Sequence, residues 1–242
     1  MKQRPFGQSA ICSGNMFYAL LALCIIFPGV SKATTVTMET TLGNINIQLF
    51  DSAAPVTVAN FLNYVQSGGY VNSFIHRSVP GFVVQGGGYS YDPSLGPFST
   101  STAQHIAVNP SIINEFDPSR SNIRGTIAMA KLGGNPDSAT SEWFFNLADN
   151  SANLDFQNGG FTVFGQIVGN GMNVIDAIAA LNISNQGGPF TSLPVINATG
   201  APIQSADLVT ISNISAVPLP GAIWLFITGL FGLVGIAGRK AD

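Results

Sequence analysis

The sequence predicts a mainly β domain, a closed antiparallel barrel with helical caps, followed by a C-terminal transmembrane helix. Three observations lead there. Short apolar runs, several of them alternating, are separated by glycine-rich turns. Two segments carry the helical period, one near each end of the domain. An unbroken apolar stretch at 221–238 is closed by Arg239-Lys240. Many short strands with few helices favour a barrel, and closure removes exposed strand edges.

Residues 35–40 and 44–50 read as a hairpin around Leu42-Gly43. Ile45, Ile47 and Leu49 alternate with Asn46 and Gln48, the period of a half-buried strand. A helix follows. Pro55 suits its first position, Val58, Phe61, Leu62 and Val65 fall at i, i+3, i+4 and i+7, and Gly68-Gly69 ends it. Further strand-like runs lie at 74–75, 81–85, 126–130, 143–147 and 161–168. Residues 172–181 read as a second amphipathic helix, and 208–214 alternates again and closes the domain. The stretches 89–113 and 186–206, rich in Ser, Thr, Pro and Gly, read as long surface loops.

The chain divides into 1–33, 34–216 and 217–242. Lys2 and Arg4 precede an apolar run at 16–27 broken by Pro28-Gly29, and Ser31-Lys32-Ala33 places small residues where a signal peptidase reads. Cleavage after Ala33 is expected; an uncleaved anchor is the alternative, against which the run is short for a span of ~20 residues. The only cysteines, Cys12 and Cys24, lie in this leader, so a mature chain has no disulfide framework, thiol nucleophile or cysteine-ligated metal. At the other end, 18 helical residues would reach roughly 27 Å, enough for a thin bilayer. Gly229, Gly232, Gly235 and Gly238 give that helix a small-residue face, and Arg239-Lys240 would stay cytoplasmic. With Val217-Pro218-Leu219-Pro220 ahead of it, this tail resembles the PEP-CTERM sorting signal of Gram-negative bacteria. That resemblance implies an exosortase-type processing enzyme and a periplasmic, membrane-anchored or cell-surface location. A net charge of −3 gives no electrostatic basis for nucleic-acid binding.

Four ordered motifs lie within the domain. They are Ile75-His76-Arg77-Ser78-Val79-Pro80-Gly81-Phe82-Val83-Val84-Gln85-Gly86-Gly87, Asn122-Ile123-Arg124-Gly125-Thr126-Ile127-Ala128-Met129-Ala130, Asp137-Ser138-Ala139-Thr140-Ser141-Glu142-Trp143-Phe144-Phe145-Asn146, and Phe161-Thr162-Val163-Phe164-Gly165. Together they resemble the cyclophilin-type peptidyl-prolyl cis-trans isomerases. The resemblance implies an eight-stranded cyclophilin-like barrel capped by two α-helices. It implies an enzyme that rotates X-Pro bonds without a cofactor or metal, acts as a monomer and takes proline-containing polypeptides as partners. Arg77 matches the family's catalytic arginine, Gln85 the glutamine that orients it, and Phe82, Val83, Phe144, Leu154 and Phe161 the proline pocket. Ala130 and Lys131 match residues that touch the substrate backbone.

The chemistry can be argued without the resemblance. Amide resonance sets a barrier of ~18–20 kcal/mol, and uncatalysed rotation takes tens of seconds. A millisecond step needs ~5–6 kcal/mol of selective stabilisation of the twisted amide, whose prolyl nitrogen regains its lone pair. A fixed cation that donates to that nitrogen supplies it, and Arg is always charged. The chain departs from the family at several positions. Val83 replaces the usual Met, Glu142 the usual Gln and Phe161 a common His. Asn153 stands where cyclosporin-sensitive members have Trp, and residues are inserted before Phe161. Asp137, Glu142 and His105 read as solvated or incidental, His76 as structural. A non-catalytic module holding proline segments in a surface matrix is the alternative reading of the whole.

Overall fold

The computed structural model describes residues 33–197 and 202–217. Its elements are β1 (Thr35–Thr40), β2 (Gly43–Leu49), α1 (Pro55–Gln66), β3 (Arg77–Val79), β4 (Val83–Gly86), β5 (Tyr89–Tyr91), β6 (Ala103–His105), β7 (Thr126–Met129), β8 (Trp143–Asn146), the one-turn α2 (Ser151–Leu154), β9 (Val163–Val168), α3 (Gly171–Ala179), β10 (Asn182–Ser184), β11 (Leu193–Val195) and β12 (Ile211–Val217). Eight strands form one antiparallel sheet in the order β12-β1-β2-β9-β7-β8-β4-β3.

The hairpin β1–β2 alternates as its sequence requires, with Val36, Met38, Ile45, Ile47 and Leu49 buried to 1% exposure or less. Helix α1 packs Val58, Phe61, Tyr64 and Val65 into the main core, where the Phe61 ring meets Phe164 at 5.1 Å between centroids. No side chain of its own caps α1. Glu115, distant in sequence, accepts from Val56 N at 3.2 Å and from Thr57 N at 2.7 Å. Those first-turn N–H groups have no partner within the helix, and a carboxylate also suits its positive end.

The sheet curls but does not close into the expected barrel. Its terminal strands, β12 and β3, share no ladder. The segment ahead of β3 spans the gap irregularly: an isolated bridge pairs Phe74 with Thr210, Asn72 N donates to Ile211 O at 2.8 Å, Ile211 N to Ser73 O at 2.8 Å and Ile75 N to Val209 O at 2.9 Å. Beyond that point Ser78 N donates to Ser192 O at 2.8 Å, so the edge that closure would need is taken by the segment leading into β11. Among the described residues no helix is long and apolar enough to cross a membrane. The expected transmembrane helix and the expected leader lie outside the described residues.

The two stretches expected to be surface loops have a core of their own. β5 pairs with β6, and β10 with β11. Tyr89, Tyr91 and Phe98 from the first stretch pack with Phe190, Leu193, Val195 and Ile203 from the second, over Phe74 and Leu208. Phe190, 1% exposed, is the hub, with ring centroids at 5.8 Å from Phe74, 4.9 Å from Tyr89 and 5.2 Å from Phe98. Phe190→Ala is therefore expected to cost about 3–5 kcal/mol. Hydrogen exchange should speed up together at 89–106 and 182–195, ahead of the main sheet. Protection lost only around residue 190 would show that the two stretches fold separately.

Candidate active site

One turn sets the register of the site. Phe82 N donates to Val79 O at 2.9 Å across Pro80-Gly81, and Gly81 has φ 74°. Proline first and a positive-φ glycine second is the requirement of a type II turn. It returns the chain so that Arg77 lies directly opposite Gln85, Ser78 opposite Val84 and Val79 opposite Val83.

The pairing then carries one row of residues across five strands. Gln85 opposes Phe144, Phe144 opposes Ala128, and Ala128 opposes Val163. The neighbouring row, Ser78, Val84, Phe145, Ile127 and Gly165, points the other way. Val84, Phe145 and Ile127 of that row belong to the main core, whereas Phe144, Ala128 and Val163 belong to a separate small cluster with Val83 and Leu154. The central strands are thus apolar on both faces, one packed inward and one lining the site.

The nine residues singled out in the sequence, Arg77, Phe82, Val83, Gln85, Ala130, Lys131, Phe144, Leu154 and Phe161, all line one open cavity of about 250 Å³. Phe144 and Phe161 meet edge to face at 5.7 Å and form its aromatic wall. The Arg77 guanidinium stands at the rim, 6.0 Å from the Phe82 ring centroid. Its Nη1 donates to Gln85 Oε1 at 3.3 Å. Burial lowers the Arg77 pKa from its ordinary value, which still leaves a cation at neutral pH. Lys131, expected to touch the substrate backbone, lines the same cavity. Its Nζ donates to Asn158 O at 2.9 Å and Gly160 O at 2.6 Å and lies 5.0 Å from the Phe161 ring centroid. Its ammonium staples the inserted loop and the pocket wall together.

Glu142 is not the solvated carboxylate expected from the sequence. It is 30% exposed, accepts from Gln85 Nε2 at 2.7 Å, and lies 3.5 Å from Nε2 of the buried His76. Burial works to raise its pKa, but His76, Gln85 and His105 together hold it below the ordinary value. A depressed carboxylate pKa stabilises the fold above the ordinary carboxylate range, and that contribution is lost as pH falls through the lowered value. Asp137 accepts from Asn114 N at 2.8 Å and so holds a loop.

Two further features were not visible in the sequence. Gln157 also lines the cavity, and its Nε2 hydrogen-bonds Asn153 Oδ1. The insertion before Phe161 was the available signal. Beneath the pocket runs a buried chain of amides. Asn150 Nδ2 donates to Phe82 O at 2.9 Å and to Asn146 Oδ1 at 2.7 Å; Asn146 Nδ2 donates to Asn122 Oδ1 at 3.2 Å; Asn122 Nδ2 donates to Phe161 O at 2.9 Å. Two walls of the cavity are thereby fixed through their backbone carbonyls. Among the described residues no cluster of His, Cys, Asp and Glu is placed to hold a metal ion.

The arrangement is an open aromatic cup with a positioned cation at its lip, and comparison with known proteins agrees with it. Residues 35–200 match the family described as cyclophilin type peptidyl-prolyl cis-trans isomerase/CLD. Peptidyl-prolyl cis-trans isomerase A of Dickeya dadantii is 40% identical over 78% of this chain and 93% of its own length. Peptidyl-prolyl cis-trans isomerase B of Escherichia coli is 37% identical over 63% of this chain and 88% of its own. A solved cyclophilin type isomerase of Cryptosporidium parvum, 23% identical, superposes with a TM-score of 0.56 over 78% of this chain and 99% of that one, a likeness of fold. Motifs, fold and relatives converge: the chain belongs to the cyclophilin-type peptidyl-prolyl cis-trans isomerases, and its activity is the rotation of X-Pro bonds.

Proposed function

We propose that the cavity at the Phe144–Phe161 wall seats the substrate proline ring and that Arg77 donates to the prolyl nitrogen as the amide twists. The observation that carries this reading is the convergence of all nine residues on one cavity with the guanidinium at its lip. Phe82, Val83, Leu154, Phe144 and Phe161 hold the ring, while the preceding segment turns in the open groove. The twisted amide binds Arg77 more strongly than either planar isomer, because its nitrogen lone pair is no longer delocalised. That difference is transition-state stabilisation by a preorganised charge. Gln85 holds the guanidinium through Oε1 and is itself held through Nε2 by Glu142. A carboxylate can only accept, so Glu142 dictates which end of the Gln85 amide faces Arg77. No step needs a metal or cofactor.

The same proposal extends to where the enzyme acts. The basic and apolar leader, the Ala33 site and the tail at 217–242 support export by signal peptidase and processing by an exosortase-type enzyme. The enzyme then works as a monomer on exported or surface proteins, in the periplasm, on the membrane or at the cell surface. A tagged chain expressed in its host should be recovered outside the cytoplasm with Thr34 as its first residue. A cytoplasmic pool with residues 1–33 intact would overturn this.

Arg77→Ala should lower kcat/KM by about ten- to a hundredfold, the worth of one charged hydrogen bond at roughly 1.5–3 kcal/mol, with little change in melting temperature. Arg77→Lys should rescue poorly, since one ammonium cannot serve Gln85 and substrate in the same planar geometry. Phe144→Ala should weaken binding and lower the melting temperature together. Activity in each case should be unchanged by EDTA. Near-full turnover by Arg77→Ala would refute the proposed mechanism.

Cyclosporin should inhibit weakly. Asn153, exposed and bonded to Gln157, replaces an indole donor, and the loss of one specific donor costs ~1–3 kcal/mol, about ten- to a hundredfold in affinity. Asn153→Trp should tighten inhibition; nanomolar inhibition of the unaltered chain would contradict the argument.

A further inference from the structure

Behind the Gln85–Glu142 pair lies a buried side chain that the mechanism leaves unused. His76, the residue before Arg77, is 3% exposed. Its Nε2 lies 3.5 Å from Glu142 Oε2, the oxygen that also accepts from Gln85 Nε2 at 2.7 Å. Its Nδ1 is buried and has no hydrogen-bond partner among the described residues. Its ring meets Tyr89 edge to face at 5.0 Å. Burying an imidazole is costly unless its polar atoms are used, and the use this ring has is its contact with Glu142. Gly88 keeps room for that carboxylate, since an added Cβ there would sit 2.6 Å from Glu142 Oε1. The φ of Gly88 is not positive, so the backbone itself does not demand glycine at that position.

These contacts continue the line that holds the guanidinium. Glu142 Oε2 accepts from Gln85 Nε2, which turns Gln85 Oε1 toward Arg77 Nη1. An ionised carboxylate can only accept, whereas a protonated one carries an O–H donor. With Glu142 protonated, Gln85 can turn its amide over and accept from that O–H. Its NH2 group then faces Arg77, donor against donor, and the guanidinium loses its anchor. The orientation of Gln85 therefore follows the charge on Glu142. Burial works to raise the Glu142 pKa, but His76, Gln85 and His105 together hold it below the ordinary value. The other polar groups nearby are already engaged. The Tyr89 phenol, pushed up by burial and by the Glu142 charge, stays neutral. Lys131 gives its ammonium to the carbonyls of Asn158 and Gly160, and Gln85 separates Arg77 from Glu142. His105 is exposed and packs its ring on Tyr89 at 4.3 Å. His76 is the buried group set directly against the carboxylate.

We propose that His76 is a positioning residue for the isomerisation: through Glu142 it keeps Gln85 in the one orientation that holds Arg77, and protonation of Glu142 switches that hold off. The inference rests on Arg77 acting at the proline cavity. His76 itself touches no substrate. With a proton on Nε2 its ring supports the carboxylate as a neutral group or as a cation, so the support persists as the pH falls. A carboxylate held below its ordinary pKa stays ionised down to that lowered value. Turnover is then level at neutral pH and falls as the pH drops through the lowered value. Without His76, burial is opposed by Gln85 and His105 alone, and the fall comes at higher pH.

The test uses the purified full-length chain and a capped Ala-Ala-Pro-Ala peptide, which has no ionisable group. Its kcat/KM, which reports groups of the free enzyme, is followed by exchange NMR from neutral pH down to roughly pH 3. The Glu142 carboxyl is followed in parallel by carbon NMR on chain labelled at glutamate, since Glu39, Glu115 and Glu142 are the only glutamates. Tryptophan fluorescence checks the fold at each pH. In the unaltered chain kcat/KM should fall about five- to tenfold between two plateaus, in step with the Glu142 signal and below the ordinary glutamate range. In His76→Phe, which keeps the bulk but not the donor, both midpoints should move upward past the ordinary glutamate value. His76→Gln, which restores an N–H donor, should bring them part of the way back. Glu142→Gln should leave turnover level across the range. Each midpoint is read against the variant's own plateau, so a general loss of packing cancels. A Glu142 midpoint unmoved in His76→Phe, or in His76→Gln should the first variant not fold, overturns the role of His76. Turnover that stays level while Glu142 titrates, or a fall that survives Glu142→Gln, overturns the switch. Near-full turnover in Arg77→Ala would instead overturn the reading on which both rest.

Discussion

The site depends on the register of β4. Its pairing with β3 puts Arg77 opposite Gln85, and its pairing with β8 puts Gln85 opposite Phe144. A slip of one residue would turn Gln85 and Val83 into the core and bring Val84 out. The cation, the amide that holds it and the aromatic wall would then part company. The Pro80-Gly81 turn fixes one side of that register. On the other side, Glu142 fixes the amide by chemistry, because an acceptor-only group leaves Gln85 a single way round.

The sheet carries cores on both faces, and this explains how an open groove can be rigid. Phe144 is 4% exposed although it faces the substrate side, because Phe161, Leu154 and Val83 crowd around it. The walls are held from behind by Asn150, Asn146 and Asn122, each 0–7% exposed and bonded to another member of the chain or to a wall carbonyl. Buried amides are costly when unpaired and rigid when paired. A cup of this kind can apply its geometry to a twisting amide without first reorganising itself.

Much of this was legible in the sequence, for physical reasons that differ by element. Strand β1 at 35–40 and helix α1 from Pro55 could be read because alternation and helical period are local signals, whereas the nine cavity residues were reached only through the motifs' resemblance to a family. The run Trp143-Phe144-Phe145 showed no alternation, which is what two apolar faces produce. Closure of the barrel was misjudged because the Ser78–Ser192 bond that occupies the edge joins segments far apart in the chain. The second core was invisible for the same reason. Its aromatic residues are thinly spread through Ser- and Pro-rich stretches and meet only in space. Glu142 reads as an ordinary surface carboxylate until Gln85 and His76 are placed beside it.

The pairing of β1 with β12 has a consequence for how the domain comes into being. Thr35 lies opposite Val217, so the first and last described strands are neighbours although the rest of the domain separates them in the chain. Contacts of such high sequence separation form late, since the intervening loop must be closed before they return any stability. Strand β1 can pair with β2 at once, but its other edge stays open until the chain is nearly complete. A polypeptide that emerges from its N-terminus thus passes through a stage with an unpaired, apolar strand edge, the form most open to mispairing. Once formed, the pairing brings entry and exit together at one edge, the geometry of a domain that can be circularly permuted or spliced into another protein without disturbing either fold.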